Sequence, residues 1–287
     1  MKIAVIGSGV AGNTAAWALT QGPGASAREV VVYEKDPRIG GHAHTVDIDY
    51  DGTRIAVDMG FIVYNELNYP NMIALFDLLG VKTKPSDMSF SVSVDEGKRE
   101  WKGADQLFKG LFARKRNALS PAFWGMLLEI LRFNKSALKA LDDGALDGLS
   151  LGEYLAQNNF KGRFLTDYLI PMGAAIWSMP TDEMLRFPAR SFVQFFRNHK
   201  LLHFDRPVWR TVDGGSREYV KRITKAYEGK IRVGVGAARI ERAAGSVTVT
   251  DTTGHVERFD EVILACHSDQ ALALLTDASP DERAVLG

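Results

Sequence analysis

The sequence predicts an α/β fold in which a parallel sheet, built from both ends of the chain, is interrupted by a long helical insertion. Three observations carry that prediction. A short β-branched strand is followed at once by a glycine loop and a helical stretch. A second β-branched strand, Val30 to Tyr33, ends in an acid, Glu34. Between about 105 and 203 apolar residues recur at three- and four-residue spacing, and strand-like runs return after 206.

The 287 residues are 46% hydrophobic and 24% charged, an ordinary globular composition that excludes disorder, collagen-like repeats and a coiled coil. Lys and Arg number 35 and so do Asp and Glu, so no net field draws the chain to nucleic acid, which is not expected as a partner. A single cysteine, Cys266, forms no internal disulfide and fits a reducing compartment. The richest apolar run, Ala122 to Leu131, is broken by Glu129, so no transmembrane span is predicted. The run Ile3 to Ile6 is too short for a signal peptide, and a cytoplasmic protein is expected.

Taking the elements in order, Lys2-Ile-Ala-Val-Ile6 reads as a buried parallel strand, and Gly7-Ser-Gly-Val-Ala-Gly12 opens a helix running from Val10 to about Leu19. A lone G-x-G-x-x-G is weak evidence; the order strand, loop, helix gives it meaning. Gly7 permits the tight turn, Gly9 lets backbone approach a pyrophosphate, and Gly12 lets helix and strand pack closely. Free N–H groups, with Ser8 and Ala11 beside them, then face phosphate. Glu34 follows 22 residues beyond Gly12, close to the spacing of about 20 for an acid that accepts the ribose hydroxyls and repels a 2′-phosphate. FAD or NAD fits; so does a solvated acid beside glycines that serve only as turn residues.

Next comes Lys35-Asp-Pro-Arg38-Ile-Gly40-Gly41-His42, an arginine and glycine pair that a generic NAD domain does not need. Here the sequence resembles the flavin-containing amine oxidase superfamily, whose members carry E-x-x-x-R-x-G-G after the second strand. Val57-Asp-Met-Gly60-Phe61 resembles the family's next element, beside the flavin ring. The run Gly60-Phe-Ile-Val-Tyr-Asn65 to Leu79-Gly80 resembles a bacterial branch of predicted NAD/FAD-binding oxidoreductases. The resemblance implies FAD as cofactor and a Rossmann-like FAD-binding domain. It places Gly7, Ser8, Gly9, Ala11, Gly12, Glu34, Lys35, Arg38, Gly40, Gly41, His42, Met59, Gly60 and Phe61 around that cofactor. NAD alone remains an alternative that the Arg38 and Gly40-Gly41 segment disfavours.

The domain organisation expected is a discontinuous FAD domain at 1–80 and 206–287, some substrate-domain strands at 81–104, and a mainly helical cap at 105–205. A capping box at Ser150-Leu-Gly-Glu153 starts one helix. The resemblance implies that the insertion roofs the flavin and forms the substrate pocket. Phe123, Trp124, Met126, Trp177, Phe192, Phe195 and Phe196 either line an apolar pocket or are helix core. Phe108-Lys-Gly-Leu-Phe112 with Arg114-Lys-Arg116 mixes aromatics and cations as an interfacial helix does, giving either peripheral membrane contact or a solvated face. Arg186 and Arg190, four apart, either clamp a carboxylate from one helix face or are simply exposed.

Pro207-Val-Trp-Arg-Thr-Val-Asp-Gly214-Gly215-Ser216 resembles the family's second glycine-pair element, with Ser216 expected to cap a helix through about Tyr227. Strands follow at Ile231-Arg-Val233, Gly236 to Ile240 and Val247 to Thr250; in related flavoproteins the returning strand gives backbone contacts to adenine, and the matching position is Ala237. Asp260-Glu-Val-Ile-Leu-Ala265 resembles the family's V-I-x-A-x-P strand and adds Ala265, with His267 and Ser268 in place of the proline region. Cys266 reads as a small packed hydrophobe rather than a flavin-linking thiol. The pairs His42/His44 and His199/His203 lack a third ligand, so no metal is expected, and there is no G-x-S-x-G.

Superfamily members continue well past this length to a further substrate-domain segment and a glycine-aspartate element facing the pyrophosphate. The resemblance therefore implies that the C-terminal FAD segment is absent and that the chain is truncated. The function expected is an FAD-dependent oxidoreductase that moves a hydride from a substrate C–H bond to flavin, the substrate being an amine or an acyl or isoprenoid chain. The apolar insertion tilts that choice toward the apolar chain. Alternatives are a flavin-dependent isomerase or mutase and a non-catalytic flavin-binding module. The sequence assigns no catalytic base.

Overall fold

The computed structural model describes residues 1–86, 88–103, 114–202 and 207–287. In chain order the first elements are β1 (Lys2–Ile6), α1 (Val10–Leu19), β2 (Glu29–Glu34), β3 (Thr45–Tyr50), β4 (Thr53–Asp58), β5 (Tyr64–Asn65), α2 (Pro70–Leu79) and β6 (Thr83–Ser86). Then come β7 (Phe90–Val94), β8 (Arg99–Gly103), α3 (Pro121–Asp142), α4 (Leu151–Gln157), α5 (Ile170–Trp177) and α6 (Ala189–Asn198). The last are β9 (Trp209–Val212), α7 (Arg217–Thr224), β10 (Ile231–Val233), β11 (Ala237–Ala243), β12 (Ser246–Asp251), β13 (Val256–Phe259), β14 (Glu261–Leu264), α8 (Ser268–Leu274) and α9 (Pro280–Leu286). The chain divides into two compact units. One comprises Met1–Tyr64, Tyr69–Pro85 and Arg210–Gly287; the other comprises Asn65–Asn68 and Ser86–Trp209.

The first unit is α/β, centred on a four-stranded parallel sheet of order β10-β2-β1-β14. Its central register pairs Val5 with Val32 on one side and Ile263 on the other. Both faces of that sheet are covered, which is why the strands read as continuous apolar runs. Ala4, Ile6, Val31 and Tyr33 pack with Ile240, Val249 and Phe259 of an antiparallel sheet, order β11-β12-β13. Val5, Val30 and Val32 pack on the other side with Ala16 of α1 and with Tyr227. Each valine, isoleucine or phenylalanine side chain buried there contributes about 1.5–3 kcal/mol. A hairpin, β3 and β4, turns at Asp51-Gly52, both with positive φ, as a two-residue turn demands.

Because strand order runs outward from β1 toward β2 on one side and β14 on the other, the chain reverses its winding beside β1. In open α/β sheets ligands bind outside the carboxyl ends of the strands at such a point. The glycine loop Gly7–Gly12 lies there.

The second unit is mainly helical. In α3, Phe123, Met126, Phe133, Ala137 and Leu141 form the buried face at helical spacing. Phe133 lies 5.4 Å from Phe160 and 5.3 Å from Phe164, ring centre to ring centre. Ser150 and Glu153 form the predicted capping box at α4. Phe123, Met126, Phe192 and Phe196 are fully inside this core and Trp177 and Phe195 pack against it, so these candidates are helix core; only Trp124 faces outward. A surface depression of about 570 Å³ is lined by Ala122, Gly125, Met126, Leu128, Lys161 and Phe164, among others.

Arg186 and Arg190 do not share a helix face. Arg186 closes a 3₁₀ turn, Pro188 breaks the chain direction, and Arg190 starts α6 paired to Asp147 at 2.6 Å. The expected interfacial segment Phe108–Phe112 lies outside the described residues, and so does His203. Among the described residues no three His, Cys, Asp or Glu side chains could hold a metal, and no helix is long and apolar enough to cross a membrane.

Candidate cofactor-binding site

Four sequence segments meet at the carboxyl end of β1. Gly7, in the left-handed region at φ +104°, donates its N–H to Tyr33 O at 2.8 Å and turns the chain out of the sheet. A side chain on Gly7 would meet Ala265 O at 2.7 Å, and one on Gly12 would meet Gly7 O at 1.9 Å and Ala265 Cβ at 3.2 Å. Gly7, Gly12 and Ala265 are therefore fixed by the protein's own backbone. Gly9 is different. Its backbone is extended and open to any residue, and a Cβ there would meet nothing within 4 Å. Within this chain nothing requires glycine at position 9, so the space in front of it suits a group from outside.

That space faces the start of α1. The helix has no acid in its first turn and no side-chain cap at Gly9, so the N–H groups near Val10 and Ala11 and the positive end of the dipole are uncompensated. An anion is the complementary partner.

Glu34 sits at the end of β2 beside the loop, buried. One carboxylate oxygen accepts from Ser8 twice, from its N–H at 3.0 Å and from its hydroxyl; the other accepts from Asp36 N at 2.9 Å. Three donors thus fill three of its roughly four acceptor positions, leaving about one for a ligand hydroxyl. Ser8 is fully buried and also receives at its carbonyl the Asn13 side-chain N–H, at 2.6 Å. Tyr227 donates its hydroxyl to Asn13 Oδ1 at 3.0 Å. Burial pushes the Tyr227 phenol far above its ordinary range, so it acts only as a neutral donor.

The Arg38–His42 turn lies on the loop. Gly40 N donates to Ser8 O at 3.0 Å, and a Cβ on Gly41 would meet Gly9 Cα at 2.9 Å. Gly41 is thus required by close approach to the glycine loop, and Gly40 by its left-handed φ of +108° and by Ala43 O, which its Cβ would meet at 2.9 Å. Arg38 donates to Gly41 O at 2.8 Å, which holds the turn shut. Met59 and Phe61 donate their N–H groups to His44 O and His42 O, so residues 59–61 run alongside 42–44. The His42 ring stacks on that of His267, 5.9 Å away. Both histidines are exposed, next to the loop.

Lys35 lies beside Gly236, whose Cβ would meet Lys35 Cβ at 2.9 Å. Ala237 starts β11, while the residue bonded to Glu34 is Val235, through its N–H at 2.9 Å. Burial raises the Cys266 thiol, which makes it a poor nucleophile.

The sequence motifs that contain Asp58 and Ser216 do not state how the two meet. Asp58 accepts from the Thr45 hydroxyl at 2.6 Å, the Ser216 hydroxyl at 2.7 Å and the Ser216 N–H at 2.9 Å. Thr45 in turn accepts from Arg217 N at 3.0 Å. Ser216 makes no side-chain cap of its own, and α7 ends at Thr224 rather than Tyr227. The cap arrives through space from Asp58, because Ser216 already has helical φ and ψ and cannot bend its hydroxyl back onto the helix. A Cβ on Gly215 would meet Thr45 Cγ2 at 2.4 Å, which accounts for glycine there. Asn13 and Tyr227 are likewise silent in sequence, since their bond spans 214 residues.

A sequence profile of the family described as flavin containing amine oxidoreductase matches residues 10–284. Similar solved structures include a cofactor-binding redesign of putrescine oxidase, at TM-score 0.72 and 17% identity. They also include cyclohexylamine oxidase from Brevibacterium oxydans, at TM-score 0.73 and 20% identity. A conjugated-linoleic-acid-producing fatty acid isomerase from P. acnes aligns at TM-score 0.61 and 19% identity. Each alignment covers 99% of this chain, but the chain spans only 62% of the two oxidases and 63% of the isomerase. No curated protein matches the chain.

Proposed function

The chain belongs to the flavin-containing amine oxidoreductase family, and from that premise we propose that it binds FAD at the glycine loop and serves a flavin-dependent oxidoreductase. The observation that carries the proposal is the empty space in front of Gly9, framed by the uncompensated start of α1 and by Glu34. When bound, the flavin supplies a hydride acceptor for a substrate C–H bond.

The chain's own residues hold the adenosine and diphosphate parts. The first N–H groups of α1 would hold the diphosphate, with Arg38 and His42 adding positive or polar character beside it. Glu34 keeps about one acceptor position for a ribose hydroxyl, and its charge repels a 2′-phosphate, which favours FAD over a phosphorylated dinucleotide. Met59, Gly60 and Phe61, which run alongside residues 42–44, would border the flavin ring, and the return segment Val235 to Ala237, whose Val235 N–H is bonded to Glu34, would hold the adenine end. The substrate is a small molecule with an apolar portion. A reducing, cytoplasmic setting accords with the single cysteine.

A second reading keeps the flavin without net oxidation, because a fatty acid isomerase shares the fold. Activity that needs reduced flavin and consumes no electron acceptor would select it. The first reading is tested by mixing the chain with excess FAD, removing free flavin by gel filtration and recording the visible spectrum. Retained bands near about 375 and 450 nm support it. A colourless protein whose Gly9→Ala variant behaves identically would sink it.

A further inference from the structure

The helical unit carries an apolar surface that its own core does not use. Helix α3 buries Phe123, Met126, Phe133 and Ala137 on one face. On the opposite face Trp124, Leu128 and Leu131 follow at helical spacing and are 45%, 65% and 50% exposed, and Leu119, in the turn before the helix, is 87% exposed. Large apolar side chains gathered on one stripe are the mark of an interaction surface. Leu128 also borders the depression of about 570 Å³ on the neighbouring flank of α3.

Charge identifies the occupant. Lys115, Arg116, Lys135 and Lys161 are all exposed around the stripe. The nearby acids are already engaged. Glu129 is held by Arg132 at 2.6 Å, Asp143 by Lys139, and Asp142 by Arg197 at 2.8 Å. What remains is one sign of charge around an apolar centre. A second copy of the chain would bring like charge against like across a two-fold interface, whereas an anionic surface complements it.

We propose that the outward face of α3, with the turn before it, docks on an anionic lipid bilayer: Trp124, Leu128 and Leu131 enter the headgroup boundary while Lys115, Arg116, Lys135 and Lys161 meet lipid phosphates. This is the behaviour of a monotopic amphipathic helix. The inference stands apart from the flavin reading and survives its failure.

The test uses the full chain with phosphatidylcholine vesicles, with and without about 30 mol% phosphatidylglycerol. Binding is expected only to the anionic vesicles, falling about fivefold for each of the four cations replaced by Gln and falling again as salt is raised. Brominated lipid should quench the Trp124 fraction of the fluorescence, a change that Trp124→Phe abolishes. The double variant Leu128→Glu, Leu131→Glu, exposed at both positions and checked by its thermal melt, should lose binding. Equal binding to neutral and anionic vesicles, or full binding by the folded double variant, would overturn the proposal. So would a concentration-dependent dimer that the double variant breaks while vesicles bind neither protein.

Discussion

Ser8 donates both its backbone N–H and its hydroxyl to one oxygen of Glu34, across 26 residues of sequence. The glycine loop and the ribose-type acid are thereby locked together before any ligand arrives. A site arranged in advance does not have to meet the ordering cost at the moment of binding. The same bonds make Glu34 part of the fold as well as of the site.

Replacing Glu34 with Gln therefore has two effects. The amide nitrogen meets either the Ser8 or the Asp36 N–H, donor against donor. The ligand-free protein should lose about 1.5–3 kcal/mol, and FAD affinity should fall about tenfold or more. Thermal melts and flavin fluorescence titration read these separately; an unchanged melt would show that the buried bonds contribute nothing.

The glycines of the loop should separate into two kinds. Gly12→Ala puts Cβ against Gly7 O and should cost about 3 kcal/mol or more. Gly9→Ala meets nothing, so the ligand-free fold should lose at most about 1 kcal/mol, the cost of a poorer N-cap, while FAD retention collapses. Chemical denaturation followed by the spectroscopic binding test distinguishes them, and an equally large stability loss at Gly9 would contradict the open space in front of it.

At α7 the cap belongs to Asp58. Asp58→Ala should destabilise the α/β unit by about 2–4 kcal/mol, because the Ser216 N–H and hydroxyl and the Thr45 hydroxyl lose their acceptor together. Ser216→Ala should cost only about 1 kcal/mol. Urea midpoints in the reverse order would return the cap to Ser216.

Tyr227 sets an alkaline expectation. Its folded value is raised by burial, so its contribution is fully present below about pH 10, where the unfolded phenol is also neutral. That contribution is lost as the pH rises from there toward the raised folded value. Tyr227→Phe should cost about 1 kcal/mol at neutral pH, and the gap to the native chain should narrow in alkali. Paired melts at pH 7 and 11 check it, and a widening gap would mean that Tyr227 ionises in the folded protein.

The acid side is read at α9. Arg242 and the Ser279 N–H hold the Glu282 carboxylate down to about 2. A depressed carboxylate stabilises above its unfolded value near 4.5 and loses that contribution as the pH falls toward about 2. The melting difference between the native chain and Glu282→Gln should therefore be present at pH 7 and gone near pH 2. A difference that persists there would place the contribution elsewhere.

Much of the fold was legible because it is local. The run Lys2 to Gly12 states strand, turn and helix within one stretch, and Ser150 with Glu153 states a helix start in four residues. The hairpin at Thr45–Asp58 is marked in the sequence only by its Asp51-Gly52 turn, because its short strands are half-exposed and lack a buried apolar run. Of the two alternatives for Arg186 and Arg190, exposure holds and a shared helix face does not, because spacing alone does not register the break at Pro188.

The sequence by itself determined which residue types were available to a dinucleotide: three glycines, an acid at the end of the second strand, and an arginine with a glycine pair. Their spacing follows from backbone geometry over a few turns of chain. Only the tertiary structure decided that Gly7 and Gly12 are held by backbone contact while Gly9, of the three loop glycines, faces open space, that Val235 bonds to Glu34, and that Asp58 caps a helix 158 residues away. Those outcomes depend on which backbone atoms of distant segments approach within about 3 Å, the range over which hydrogen bonds and steric contact act, and no pattern along one segment records its distance to another.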